Sequence, residues 1–398
     1  MKKSAILITC PKGLAPYLKD EVAGLGLPVI EESVSGVQTE GSLGDAMRLN
    51  LFLRTGHRVL LLLEDFRSED AEGLYSGLVK INWEDYIPED GYLCVTAHVE
   101  NPSISDSRFA NLRCKDAIVD RIRDKRGRRP DSGPLRDRTV VFLYWKGSRC
   151  SIYLDTSGEP LSKRGYRKIP GEAPMQETLA AALVMASGFE GSGNFLNPHF
   201  RNPHFINPMC GSGTLAIEAA LLALKKAPGL LRSNFGFMHL KGFDRGLWEG
   251  LRTEAKKASE KTFKGRIIAT DINPEAVSAS KQNAKTAGIE RLIEFAVCDY
   301  QDTPVPDAGE GENKGVIMLN PEYGMRMGRI KELEETYKGI GDFFKHKCMG
   351  YSGYIFTGNP ELAKKVGLRA KRRIPFFNSN IECRLLEYEL YLGSRSGK

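Results

Sequence analysis

The 398-residue sequence lacks the patterns that mark several common classes of protein. Its eight cysteines form no C-x-x-C pair and have no metal-ligand spacing with its six histidines, so neither a zinc site nor a disulfide framework is predicted. Free thiols are typical of a reducing compartment, and we expect a cytoplasmic protein. No apolar run approaches the length of a membrane span. The short run after Lys2 and Lys3 is typical of a strand rather than a signal peptide.

The length predicts two or three domains, and the charge is only modestly positive. The chain has 57 lysines and arginines against 50 acids, a formal charge of +7. The cations are concentrated in three stretches, a pattern that fits phosphate contacts, although any single cluster is more commonly a solvated helix face. The candidate residues for phosphate contacts are Arg113, Lys115, Arg126, Arg128, Arg129, Lys163, Arg164 and Arg167. The third stretch contains Arg369, Lys371, Arg372 and Arg373.

A glycine turn lies between a short apolar strand and a strongly helical segment. The turn reads Asn207-Pro208-Met209-Cys210-Gly211-Ser212-Gly213-Thr214. Gly211 and Gly213 allow a sharp turn and close approach of a ligand, and the following helix offers free N–H groups. Taken alone, a glycine turn of this kind is as often a purely structural turn as a cofactor contact.

Three further apolar runs end in polar residues, namely Asp271-Ile272-Asn273, Asp299-Tyr300 and Asn320-Pro321-Glu322-Tyr323. Because these runs alternate with helices, we predict an α/β fold with a mostly parallel, doubly wound sheet. Ligands of such sheets bind beyond the carboxyl ends of the strands, where Asp271 can accept hydrogen bonds from ribose hydroxyls. Its alternative role is to cap the next helix.

In this order, the motifs resemble the cofactor and catalytic motifs of S-adenosylmethionine-dependent amino-methyltransferases. The chain is most similar to the THUMP-domain RNA guanine-N2 methyltransferases, the family of the bacterial large-subunit ribosomal RNA enzyme. The similarity extends to residues 155–167 and 173–182. It implies a Rossmann-like class I methyltransferase domain at 161–398. A ferredoxin-like subdomain at 1–64 and a THUMP RNA-binding domain at 65–160 would precede it.

The resemblance also implies a set of site residues. The cofactor, S-adenosylmethionine, would be bound by Glu177, Thr178, Asn207, Pro208, Met209, Cys210, Gly211, Ser212, Gly213, Thr214, Asp271, Ile272, Asn273, Asp299, Tyr300 and Asn320. The catalytic residues would be Asn320, Pro321, Glu322 and Tyr323. The sequence departs from the family pattern at Asn207, where Asp is usual, and at Glu322, where a second Pro is usual.

An exocyclic base amine is a poor nucleophile because its lone pair is delocalised into the ring. The Asn320 amide oxygen and the Pro321 carbonyl can accept its hydrogens, so that the lone pair points at the methyl group, while Tyr323 offers a face for stacking. This chemistry needs no metal. A cytosine-C5 enzyme would need a cysteine nucleophile at the position of Glu322, and Cys348 and Cys383 are predicted to be core residues.

The predicted function is methylation of guanine N2 in RNA, with large-subunit ribosomal RNA favoured and transfer RNA possible. Three alternatives stay open: adenine-N6 methylation of DNA or RNA, transfer RNA guanine methylation, and an RNA-binding protein that has lost catalysis. A nicotinamide oxidoreductase is disfavoured because no Gly-x-Gly-x-x-Gly is present. The sequence leaves the modified nucleotide and the oligomeric state open.

Three segments lie outside this minimal plan. Residues 228–260 form an insertion whose aromatics, Phe235, Phe237, Phe243 and Trp248, are predicted to pack in a core from extra helices. Residues 302–313 are predicted to be a surface loop, and residues 163–171 a charged link to the catalytic half.

Overall fold

The computed structural model describes residues 3–104, 106–171, 174–189, 204–307, 315–324 and 330–391. The chain divides into two compact units, and neither unit is a single stretch of sequence. The N-terminal unit consists of Met1–Cys10, Leu18–Lys163 and Pro228–Lys256, and the methyltransferase unit of Pro11–Tyr17, Arg164–Ala227 and Lys257–Lys398.

The N-terminal unit contains one eight-stranded sheet. Its strands are β1 (Ser4–Thr9), β2 (Glu31–Ser33), β3 (Gly36–Gly41), β4 (Arg58–Arg67), β5 (Tyr92–Glu100), β6 (Asp131–Ser132), β7 (Thr139–Lys146) and β8 (Arg149–Asp155). They lie in the order β2-β3-β1-β4-β8-β7-β5-β6. The boundary predicted between residues 64 and 65 falls inside β4, which pairs with β1 and with β8. The ferredoxin-like and THUMP segments therefore share one sheet.

Four helices accompany these strands: α1 (Ala15–Gly24), α2 (Leu43–Phe52), α3 (Ala71–Val79) and α4 (Ser107–Arg126). Helix α4 spans the most basic stretch of the chain. Asp106 caps it by accepting from the Arg108 N–H, and Gly127 ends it at φ 73°.

The insertion packs as predicted. It forms two short 3₁₀ turns and helix α7 (Arg245–Ala258), and it belongs to the N-terminal unit. Phe235, Phe237 and Trp248 are buried, and the Phe237 and Trp248 ring centroids are 4.9 Å apart. The Arg232 guanidinium donates to the carbonyls of Ser157, Glu159 and Pro160. Residues 157–160, which belong to the segment on which the resemblance rests, therefore also have a structural role.

The methyltransferase unit contains a seven-stranded sheet of β9 (His204–Pro208), β10 (Arg266–Asp271), β11 (Ile293–Val297), β12 (Val316–Leu319), β13 (Ser352–Thr357), β14 (Arg372–Asn378) and β15 (Ile381–Glu389). The order is β11-β10-β9-β12-β13-β15-β14. All neighbours from β11 to β13 are parallel, and β15 is antiparallel to both β13 and β14. This is the predicted mostly parallel sheet, and the polar strand tips meet at one edge.

The helices of this unit are α5 (Glu177–Ala186), α6 (Thr214–Ala223), α8 (Pro274–Thr286), α9 (Ile330–Lys347) and α10 (Pro360–Lys365). One apolar cluster includes Ile317, Tyr337, Phe344 and Leu386, and Cys348 lies within it. Cys383 is also buried, so both cysteines are core residues as predicted. Of the predicted loop, residues 308–313 lie outside the described residues.

A buried ion pair attaches the segment before α5 to α6. The Arg164 Nε donates to Glu218 Oε1 at 2.8 Å, and the Tyr166 hydroxyl donates to the same oxygen at 3.0 Å. All three side chains are at most 1% exposed. Burial raises the pKa of Tyr166 well above its ordinary value, with Glu218 contributing. The prediction of a charged link is corrected in part, because Arg164 and Tyr166 of this segment are buried inside the unit.

We expect Glu218→Gln to lower the free energy of unfolding by about 3–5 kcal/mol, because it removes the carboxylate that compensates a buried arginine. Urea denaturation of the full chain measures this. Glu335→Gln, an exposed change on α9, is the matched control and should stay within about 0.5 kcal/mol of the parent. Equal effects of the two changes would contradict this account.

Candidate cofactor and base-binding site

The glycine turn is held in a backbone conformation that few residues adopt. Met209, Gly211 and Gly213 have φ values of 56°, 54° and 84°. A Cβ at Gly213 would lie 2.0 Å from the Ser280 hydroxyl of α8, whereas a Cβ at Gly211 would meet no protein atom within 4 Å. Gly213 is therefore required for packing, and Gly211 leaves open space on the side of the turn where a ligand fits.

Asp271 at the end of β10 contacts this turn directly. Its Oδ2 accepts from the Gly211 N–H at 2.9 Å, and its Oδ1 accepts from the Asn273 N–H at 3.0 Å. Asn273 caps α8 by accepting from the Glu275 N–H, so helix capping does not require Asp271. The carboxylate has further lone pairs for ligand hydroxyls, as predicted.

Asn283 of α8, which the sequence analysis missed, connects residues 168–169 to the glycine turn. Its Oδ1 accepts from the N–H groups of Lys168 and Ile169, and its Nδ2 donates to the carbonyls of Ile169 and Ser212. The side chain is fully buried. Asn283 occupies a helix interior, so its role follows from tertiary contacts that no local sequence signal predicts.

Asn207 links two strands where their ladder ends. Strands β9 and β12 pair only through Phe205 and Ile206 of β9, and the Asn207 Nδ2 then donates to the Met318 carbonyl at 2.9 Å. A carboxylate could not donate this bond. The Asn207 Oδ1 is buried and has no protein partner among the described residues. It is therefore an acceptor available to a ligand donor.

The tip of β12 presents the predicted catalytic residues. The Asn320 Oδ1 is also a buried acceptor without a partner among the described residues. Pro321 is buried, whereas Glu322 is exposed. Tyr323 is half-buried, and its hydroxyl accepts from the Asn378 Nδ2 at 2.7 Å. The structure thus brings an unsatisfied acceptor, a carboxylate and an aromatic ring together at one strand tip.

Apolar side chains are exposed beside Asp271. Ile272, just after β10, is 69% exposed, and Val297, at the end of β11, is 53% exposed. Val297 lies opposite Asp271 in the parallel register and was missed by the sequence analysis. Asp299 caps the following turn by accepting from the Gln301 N–H. Tyr300 packs edge-on against Phe343 in the core, so its side chain is a packed aromatic.

Glu177 and Thr178 begin α5 and are buried. Burial raises the pKa of Glu177, and the Arg167 guanidinium 3.6 Å away opposes this shift. The Thr178 hydroxyl is buried without a partner among the described residues. Arg167 also donates to the Thr214 hydroxyl at 3.0 Å, at the start of α6. Arg167 thereby links the start of α5 to the start of the helix that follows the glycine turn.

The predicted RNA-binding residues separate into two groups. The RNA-binding prediction for Arg164 is corrected, because its guanidinium is buried against Glu218 and is not available to a phosphate. Arg126 donates to the carbonyls of Glu84, Ile87 and Pro88, and Arg167 lies in the network just described.

The other five have acidic or carbonyl partners but remain at least partly exposed: Arg113 on Glu72, Lys115 on Asp116, Arg128 on the Glu89 carbonyl, Arg129 near Asp120, and Lys163 on Glu159. For these residues, RNA binding stays a prediction.

The residues at the sheet edge fit an adenosyl cofactor with an amino-acid tail. The unsatisfied Asn207 amide oxygen suits an amine donor, Asp271 suits ribose hydroxyls, and Ile272 and Val297 give apolar surface for an adenine ring. Among the described residues, no group of three His, Cys, Asp or Glu side chains could hold a metal ion. Within the same residues, no helix is long and apolar enough to cross a bilayer.

The strand order and the open glycine turn define a class I methyltransferase fold. Residues 164–387 match the family model described as the RMKL-like methyltransferase domain, residues 5–60 the RlmL ferredoxin-like domain, and residues 68–155 the THUMP domain. The chain therefore belongs to the RMKL-like methyltransferase family. This confirms the predicted fold class and the predicted family.

Two relatives illustrate the similarity. The ribosomal RNA large subunit methyltransferase K/L of Syntrophotalea carbinolica is 37% identical over 96% of this chain and 53% of its own length. This chain thus spans about half the length of the K/L relatives it matches. A Synechocystis protein named as a candidate RNA methyltransferase is 33% identical over 96% of both chains.

Solved structures agree with this assignment. A methyltransferase candidate complexed with SAH superposes with a TM-score of 0.85 at 26% identity, over 100% of both chains. A Listeria monocytogenes protein described as a predicted N6-adenine-specific DNA methylase has a TM-score of 0.83 at 29% identity, over 99% of this chain and 97% of that chain.

Asp271→Ala should weaken S-adenosylmethionine binding by about 1.5–3 kcal/mol, because charge-assisted hydrogen bonds to the ribose are lost. Calorimetry with S-adenosylmethionine measures this. Glu275→Ala, at an exposed position in the first turn of α8, is the matched control and should bind as the parent does. Unchanged affinity in folded Asp271→Ala would remove Asp271 from the cofactor site.

Proposed function

We propose that this chain is an S-adenosylmethionine-dependent RNA methyltransferase that modifies guanine N2, in large-subunit ribosomal RNA rather than in transfer RNA. This proposal depends mainly on the Asn320 Oδ1, which is buried and has no partner among the described residues. Asn320 directly follows β12 and lies close to Tyr323 in the chain, at the edge of the sheet where the cofactor is predicted to bind. The names of the K/L relatives support ribosomal RNA as the substrate. An RNA substrate and eight free cysteines support a cytoplasmic location.

The residues of the site act mainly by orientation. When bound, the cofactor supplies an electrophilic methyl group. Asn320 Oδ1 and the Pro321 carbonyl accept the two hydrogens of the base amine, which directs its lone pair out of the base plane. Tyr323 stacks on the base and fixes the plane from which the lone pair projects. As the new C–N bond forms, the bond between the methyl carbon and the cofactor sulfur would break, and the amine nitrogen would release one proton to water.

The N-terminal unit would hold the RNA through its phosphates. Arg123, Lys125, Arg128 and Arg129 are exposed along the end of α4 and just after it. Surface carboxylates and carbonyls pair only weakly with such cations in water, so these contacts are easily exchanged for phosphate. This arrangement positions RNA without reading its sequence.

Adenine-N6 methylation is the second candidate, favoured by the description of the Listeria structure. The same acceptors can hold either amine, so Asn320 and Tyr323 do not separate the two bases. An RNA-binding protein without catalysis is the third candidate. The uncharged Asn207 motivates it, because this residue lacks a carboxylate for the cofactor's amino group.

Nucleoside mass spectrometry of ribosomal and transfer RNA tests these candidates in cells with the gene, without it, and with Asn320→Ala. We expect N2-methylguanosine in ribosomal RNA to disappear without the gene. Purified Asn320→Ala should lose at least about a hundredfold in methyl transfer while binding S-adenosylmethionine normally. Loss of N6-methyladenosine instead would identify the adenine enzyme, and no change in either RNA would favour the non-catalytic protein.

Glu322 gives a prediction about base choice. A carboxylate accepts from the guanine N1–H, whereas the bare N1 of adenine would face it with a lone pair. Glu322→Gln should cost guanine methylation about 1–3 kcal/mol in kcat/KM and leave S-adenosylmethionine affinity unchanged. Glu332→Gln, exposed at the start of α9, is the control. If Glu322→Gln is silent on guanine, the carboxylate of Glu322 faces solvent and takes no part.

A further inference from the structure

Tyr323 is held by residues from two other strand ends. The Asn378 Nδ2 donates to its hydroxyl at 2.7 Å, and the Asn359 Nδ2 donates to its carbonyl at 3.3 Å. A Cβ at Gly358 would lie 3.2 Å from two carbons of the Tyr323 ring and 2.9 Å from the Ile381 Cγ2, so the ring and Ile381 both pack against a position without a side chain. The backbone, the ring and the hydroxyl of Tyr323 thus each have a separate support.

The sheet topology explains why these residues meet. Strand β14 is antiparallel to β15, which is antiparallel to β13, so β14 and β13 run in the same direction. Their carboxyl ends, at Asn378 and Thr357, therefore reach the same edge as the tip of β12. Asn378 lies 55 residues from Tyr323 in the chain.

The hydrogen bond from Asn378 acts at the far end of the Tyr323 ring. The Cys383 thiol also contacts this hydroxyl, but a thiol is a weak hydrogen-bond partner. A half-buried tyrosine ring whose hydroxyl keeps only that weak partner can tilt within its rotamer well. The base that stacks on the ring would tilt with it, and its amine would leave the line to the methyl group. A misplacement of about 1 Å at a reacting centre can cost about a hundredfold in rate.

We propose that Asn378 is a positioning residue for the target base, which acts through the Tyr323 hydroxyl, and that Gly358 keeps free the space that the ring occupies. This inference rests on the proposed function, since it assigns the base platform of that same site. It gives the Tyr323 hydroxyl an anchoring role and no part in proton transfer.

Four substitutions test it on unmodified ribosomal RNA from cells lacking the gene. Asn378→Leu and Tyr323→Phe each remove the hydrogen bond and should each lower kcat about tenfold, with S-adenosylmethionine affinity within about twofold of the parent. Asn378→Asp should stay within about threefold, because its carboxylate can accept from the tyrosine hydroxyl. Gly358→Ala pushes on the ring and should lower kcat several-fold with Asn378 intact.

The double variant Asn378→Leu with Tyr323→Phe is the decisive measurement. If Asn378 acts only through the hydroxyl, the double variant should be no slower than Tyr323→Phe alone, because Asn378→Leu then has no hydroxyl left to act through. The exposed Asn380→Leu change, in the turn that follows β14, is the matched control and should leave kcat unchanged. Independent, multiplying losses would overturn the proposal, as would parental activity in Tyr323→Phe.

A measurement without RNA separates this inference from the proposed function. Fluorotyrosine-labelled full chain should show one fluorine resonance that Tyr323→Phe removes and Asn378→Leu shifts, while Asn380→Leu leaves it in place. If Asn378→Leu does not fold, Gly358→Ala should shift the same resonance. An unshifted resonance overturns the positioning role even if the enzyme methylates guanine. A shift in a protein that methylates no RNA would instead retain the geometry and reject the function.

Discussion

Arg164 places a positive charge inside the methyltransferase unit, and Glu218 makes that burial possible. The carboxylate accepts from both Arg164 and Tyr166, so one residue of α6 holds two side chains of the preceding segment. The same segment then reaches Asn283, which bonds to the glycine turn. Because the turn has little intrinsic preference for its strained conformation, these contacts are needed to hold its N–H groups in place.

The parallel sheet concentrates the polar tips at one edge, and each tip is supported by a neighbouring tip. Asp271 at the end of β10 accepts from Gly211 after β9, and Asn207 donates to the Met318 carbonyl near the end of β12. Because Asn207 is an amide, it makes this cross-strand hydrogen bond but has no negative charge. A carboxylate at this position would attract the cofactor's amino group more strongly, but it could not donate to that carbonyl.

Basic residues serve two different purposes in this chain. Arg164, Arg167, Arg126 and Arg232 use their several donors on buried carboxylates, hydroxyls or backbone carbonyls. Arg123, Arg128 and Arg129, near the end of α4, are exposed, and their partners are surface carboxylates or a backbone carbonyl. The planar guanidinium suits the first role because it satisfies several acceptors at once, so a cluster of arginines in the sequence does not by itself indicate an RNA-binding surface.

Apolar periodicity, helix caps and glycine turns are local signals, and they were enough to predict the parallel strands from β9 to β12 and the order of the motifs that follow them. Strand β9 with its glycine turn, Asp271 after β10 and Asn320 after β12 were all predictable in this way, whereas β13, β14 and β15 were not predicted. The burial of Arg164, the continuity of β4 across two predicted subdomains, and the support that Asn283, Gly358 and Asn378 give to the site are visible only in the folded chain. These roles depend on contacts between residues tens of positions apart, which leave no periodic pattern in the sequence.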